Sequence, residues 1–133
     1  MIRFLAIFVS VFFLLSCDKQ VDIQQAVTDS TCYKGKLVLR GICNNAVVEV
    51  LDDRMNPAFY EKTWKDESTG IVYRNVMGNA NYCTFPGDLN EGQEFYFRID
   101  QPTSLPADCA NCKALSPTPQ TRQYIQICGA TNK

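Results

Sequence analysis

Seven cysteines and no histidine set the chemistry open to this 133-residue chain. Without His there is no Ser-His-Asp triad, no Cys-His dyad and no imidazole-bound metal. Cys109-Ala110-Asn111-Cys112 has the spacing of a redox pair or of half a four-thiolate zinc site. The redox chemistry needs a thiolate stabilised at a helix N-terminus in an α/β fold. This motif instead lies in a stretch broken by Pro102, Pro106, Pro117 and Pro119. The zinc site needs a second half, and no other Cys-x-x-Cys or Cys-x-x-His occurs. A structural bridge is the better reading, and neither metal nor cofactor is expected. Carboxylates pair at Asp52-Asp53 and Asp66-Glu67, and glycosidases use two such groups about 5–10 Å apart. With no apolar pocket nearby to raise a carboxyl pKa, they read as solvated surface. The seven Gly form neither a Walker nor a dinucleotide pattern. No catalytic residue is assigned, and the chain reads as a non-enzyme. Trp64, the single Trp, follows Phe59 and Tyr60 in a charged loop. Flat exposed aromatics hold sugars and peptides, which makes Tyr60 and Trp64 the candidate ligand surface. The competing role for Phe59 and Trp64 is to cap one end of a core poor in aliphatic residues.

The seventh cysteine has a different context. Arg3 is the only charge before Asp18, and residues 4–15 are apolar except for Ser10. That run is shorter than the roughly 17–25 residues a membrane-spanning helix requires, and it fits the apolar core of a secretory signal peptide. Its end, Leu14-Leu15-Ser16-Cys17, resembles the lipobox of bacterial lipoproteins. The resemblance implies cleavage before Cys17 and acylation of its thiol, so that Cys17 anchors the chain and forms no disulfide. Two or three acyl chains anchor stably where one does so only marginally. Asp18 resembles the inner-membrane retention residue of enteric bacteria, a rule that does not extend to other Gram-negative groups. Lys19 resembles part of a surface-export signal whose acidic partner is replaced by Gln20. The expected location is the cell envelope, by preference the outer membrane, with its face left open.

The remaining cysteines, Cys32, Cys43, Cys83, Cys109, Cys112 and Cys128, are an even set in an oxidising compartment and read as three disulfides. Cys32 precedes the first strand and Cys128 ends the last, so a bridge between them closes the domain across its chain ends. The leading scheme adds Cys43–Cys83 and a local Cys109–Cys112 ring. Its rival joins Cys83 to Cys109 or Cys112 and leaves Cys43 to the other. With 13 Lys+Arg against 14 Asp+Glu, a formal net charge of −1 and a pI near 5.3, nucleic acid is not an expected partner.

The elements that must hold these residues are strands. Residues 18–31 are polar and aperiodic, a tether between anchor and domain. Within it, Asp29-Ser30-Thr31 resembles a short glycosylation motif of exported proteins, but a turn or capping role for Asp29 is the preferred reading. Residues 36–40 and 46–51 alternate around Gly41 and Asn44-Asn45, predicting a hairpin. Residues 52–70 are charged and interrupted by Pro57, with a turn at residues 67–70. Residues 71–77 form a third strand, and 82–85 a short one at best before Pro86-Gly87. Residues 93–99 alternate with Phe95, Phe97 and Ile99 inward. Residues 101–121 form an irregular loop, and 124–128 a last strand with Ile125 and Ile127 on one face. The expected fold is all-β, with five to six strands and no amphipathic helix. The order resembles a small OB-like Greek-key barrel, with a sandwich as the alternative. Residues 1–16 are the signal peptide, 17–31 the acylated tether and 32–133 one disulfide-stapled domain.

Three functions fit that reading. The leading one is a lipid-anchored envelope module that binds or supports an envelope protein or glycan. The others are a thiol-disulfide protein using Cys109 and Cys112, and an inhibitor or immunity-type protein directed at a secreted enzyme.

Overall fold

A computed structural model describes residues 31–109 and 116–130. The signal peptide, Cys17, most of the tether (including Asp29 and Ser30) and Cys112 lie outside the described residues. Six strands run β1 (Tyr33–Arg40), β2 (Ala46–Val50), β3 (Glu61–Lys65), β4 (Val72–Asn79), β5 (Glu94–Asp100) and β6 (Arg122–Ala130). They form one sheet in the order β2-β1-β5-β6-β4-β3, and a further β2–β4 pairing returns the sheet on itself. The protein is therefore all-β. Five strands make a barrel-like ring and β3 stands outside it on β4. Counting ring strands alone, the order is first, second, third, fifth, fourth, and the third and fifth run parallel at Gly78–Arg122 and Asn79–Gln123. That is the OB-like Greek-key order, and a pair of stacked sheets is excluded by the continuous pairing.

Alternation dictates which residues fill the ring. In β1, Tyr33, Gly35 and Leu37 point inward while Lys34 and Lys36 pair outward with Glu94 and Glu49, each at 2.6 Å. In β5, Phe95 and Phe97 are fully buried, Ile99 packs against the core, and Tyr96 faces out. Leu37, Val48, Met77 and Ile125 complete the interior, and Met55, Phe85 and Leu89 join the same buried cluster. Gly35 is required by packing: a Cβ there would lie 2.7 Å from the Phe97 ring and 3.1 Å from Val48.

The first hairpin forms as expected, with the left-handed backbone carried by Cys43 and Asn44 (φ 58° and 56°) rather than by Asn45. Two expectations are corrected. Residues 82–85 are a turn, bonded from Thr84 and Phe85 N–H back to the Asn81 carbonyl at 3.0 Å. Glu61–Lys65 is a strand rather than loop, paired with β4 through Trp64–Tyr73 and Lys65–Val72.

Cys32–Cys128 is formed, joining the entry of β1 to the end of β6 across 96 residues. The leading scheme for the other bridges is wrong: Cys83 bonds Cys109, so neither Cys43–Cys83 nor Cys109–Cys112 exists. The physical reason is loop placement. The 81–86 turn and the 101–109 segment flank the same stretch of β6, which brings Cys83 and Cys109 within bonding distance. Cys43 is itself disulfide-bonded.

Candidate functional site

The residues singled out from sequence go to separate places. Phe59 and Tyr60 pack against the core, at a short 3₁₀ turn capped by the Asn56 side chain. Trp64 lies on β3 and stacks on Tyr73 across the strand pair, with centroids 5.6 Å apart and planes 24° off parallel. Tyr60 and Trp64 are each half-buried. Burial, with the negative Asp66 and Glu91 nearby, pushes the Tyr73 hydroxyl above its ordinary pKa.

The paired carboxylates serve turns. Asp66 is buried, and its oxygens accept from the Ser68 hydroxyl at 2.7 Å, the Thr69 hydroxyl at 2.8 Å and the Ser68 N–H at 2.9 Å. Those bonds, led by the Ser68 hydroxyl, hold its pKa below the usual carboxylate value. Asp52 accepts from the Arg54 guanidinium at 2.6 and 2.9 Å, which lowers its pKa to about 2. Asp53 and Glu67 are exposed. Among the described residues no three metal-ligating side chains cluster.

Three asparagines and an arginine organise one end of the ring. Arg40 donates to the Pro86 and Leu89 carbonyls at 2.9 Å and lies over the Phe85 ring. Asn44 donates to the Tyr82 and Phe85 carbonyls at 2.8 and 2.6 Å. Buried Asn79 accepts from the Ala46 N–H at 2.7 Å, at the start of β2. Asn81 behaves as a strand residue in side-chain form: its amide both accepts from the Ile125 N–H and donates to the Ile125 carbonyl at 2.9 Å. These groups replace the backbone pairing that an irregular loop lacks.

What Asn81 fixes is the wall of a groove. The groove has a volume of about 360 Å³, with β6 residues Tyr124 to Ile127 as its floor. The 81–86 turn forms one wall and Asp100, Gln101 and Thr103 the other. Cys83–Cys109 ties these two wall-forming segments together. The first wall is therefore fastened to the floor by an amide pair, and by a covalent bond to the segment that continues from the second.

Sequence reasoning missed this groove. The alternation Tyr124-Ile125-Gln126-Ile127 does put Tyr124 and Gln126 outward, and Asp100 pairs with Tyr124 in register. No sequence signal shows that two distant loops rise on either side of that face. Comparisons with family models, with curated proteins and with solved structures return no match.

Proposed function

We propose that the chain is a lipid-anchored protein of the bacterial cell envelope whose β domain acts as a binding or structural module. The observation that carries the reading is the state of the cysteines. All five described ones, Cys32, Cys43, Cys83, Cys109 and Cys128, are in disulfides. Such pairing is stable in an oxidising, extracytoplasmic compartment, where the apolar leader and Leu14-Leu15-Ser16-Cys17 would direct the chain. Pairing of Cys109 with Cys83 also takes Cys109 away from Cys112 and weakens the thiol-disulfide alternative. The groove over β6 is the place where a binding module of this shape would hold its ligand, and the outer membrane is the preferred location.

Metabolic labelling with an alkyne palmitate tests the anchor. Full-length protein takes up label and partitions into detergent. Cys17→Ser carries none and runs as an uncleaved precursor or a soluble species. Label on the Cys17→Ser protein overturns the reading.

A further inference from the structure

We infer that the groove between the 81–86 turn and residues 100–103 is a binding site for an uncharged, hydroxyl-rich saccharide segment. The inference rests on the reading of the domain as a binding module and names the ligand class of that site. Volume comes first. About 360 Å³ is near the lower end of the roughly 300–1,000 Å³ of small-molecule sites, space for about one to two sugar rings.

Charge decides the class. Among the described residues no Lys or Arg lines the groove, and the one charged side chain there is Asp100. Phosphate and carboxylate ligands, which need a cation or a row of N–H groups, are disfavoured. Arg98 donates to the Gln126 side chain at 2.8 Å and is not itself among the lining residues.

The polar groups then divide in two. Asn81 and Gln126 are committed, to Ile125 and Arg98 respectively. The Gln101 amide, the Thr103 hydroxyl and the Tyr124 hydroxyl make no side-chain hydrogen bond among the described residues, and Asp100 spends one oxygen on the Gln101 N–H at 2.8 Å. The groove therefore presents an amide, two hydroxyls and a carboxylate oxygen beside one half-buried aromatic ring. Polyhydroxylated ligands match that set, because each sugar hydroxyl both donates and accepts while its C–H face packs on a ring. An extended peptide has little footing at the centre of the groove floor, since the Ile125 N–H and carbonyl on the edge of β6 away from β5 are already taken by the Asn81 amide. The Asn81 amide pair and the Cys83–Cys109 bridge fix the 81–86 wall before a ligand arrives, which lowers the ordering cost of binding.

Titration calorimetry on detergent-solubilised, acylated full-length protein tests this, with N-acetylated chitotetraose, maltotetraose and a lysine-containing tetrapeptide as probes. At least one sugar binds saturably, and both Tyr124→Leu and Gln101→Ala weaken it by about tenfold or more, a loss of the size expected for a ring or a hydrogen-bonding partner at a site. Circular dichroism and non-reducing peptide maps confirm that the variants keep their fold and both bridges. Opening Cys83–Cys109 by the double change C83S/C109S also weakens the sugar while Cys32–Cys128 persists. The inference is overturned by no saturation with either sugar at about 10 mM, by sugar binding indifferent to both variants, or by peptide binding preferred over sugar. Palmitate labelling is read on the same protein, so a groove that fails on an anchored chain leaves the anchoring intact.

Discussion

The closed ring and the β3–β4 ribbon solve the strand-edge problem in opposite ways. In the ring, every strand has two neighbours over part of its length, and Phe95, Phe97, Leu37, Val48 and Met77 are removed from water inside it. The ribbon begins where β2 stops pairing with β4 at Val76. From Val72 to Asn75, β4 is paired only with β3 among the described residues. Two strands alone are marginal in water, so local chemistry must hold them: the Trp64–Tyr73 stack and the turn closed by Asp66, Ser68, Thr69 and left-handed Gly70 (φ 75°). Lys62 and Lys65 on the outer strand discourage further pairing. Apolar burial and covalent closure make the first region; a stacked pair and one turn make the second. They should come apart under different insults.

The largest effect is expected from opening the ring. Cys128→Ser removes a bridge spanning 96 residues, a loss of about 4–5 kcal/mol in the loop-entropy model. Cys83→Ser opens a span of 26 and should cost about 3–3.5 kcal/mol. Denaturant unfolding of the two variants checks the order, and a larger loss from Cys83→Ser would contradict it.

Next is packing inside the ring. Gly35→Ala forces a methyl to 2.7 Å from the Phe97 ring, an overpacking expected to cost about 1–3 kcal/mol. A thermal midpoint equal to that of the unsubstituted protein would show that the β1–β5 contact is looser than described.

The ribbon gives a smaller and local response. Trp64→Ala removes an aromatic pair worth about 0.5–1.5 kcal/mol. Amides of β3 and of Val72 to Asn75 should exchange faster, while those of β1, β5 and β6 hardly change.

Smallest is the acid response of Asp52. Its folded pKa of about 2 lies below the ordinary 3.8, so its stabilisation is complete above about pH 4. It is lost as pH falls from about 4 through 2. Arg54 is exposed, so the amount is at most about 1 kcal/mol. Asp52→Asn should flatten stability over that interval and change little at pH 7. Asp66, also depressed, should loosen the ribbon turn in the same direction as pH falls.

The same contrast explains what was legible in the sequence. Ring strands announce themselves because one face is apolar: Phe95-Tyr96-Phe97-Arg98-Ile99 and Tyr124-Ile125-Gln126-Ile127 carry a period of two that burial later confirms. Glu61-Lys62-Thr63-Trp64-Lys65 does not, because a strand outside the ring buries little and its pattern is written in charge. Cys32–Cys128 was readable from the positions of its cysteines at the two ends of the sheet. Cys83–Cys109 stood only in the rival scheme, because which irregular loops flank β6 is a tertiary matter that composition does not encode. The groove was illegible for the same reason. Its free groups, Asp100, Gln101, Thr103 and Tyr124, come from a strand end, a loop and another strand, and only the ring brings them together.

Native-state hydrogen exchange on the oxidised protein, resolved by peptide across a denaturant series, tests the central claim most directly. The account predicts two classes of amide. Those of β1, β5, β6 and Val76 to Gly78 exchange through global unfolding, and lose protection together when Cys32–Cys128 is absent. Those of β3 and Val72 to Asn75 exchange through a separate, lower-energy opening that the bridge does not affect. One common opening energy for ring and ribbon, shifted equally by loss of Cys32–Cys128, would contradict it.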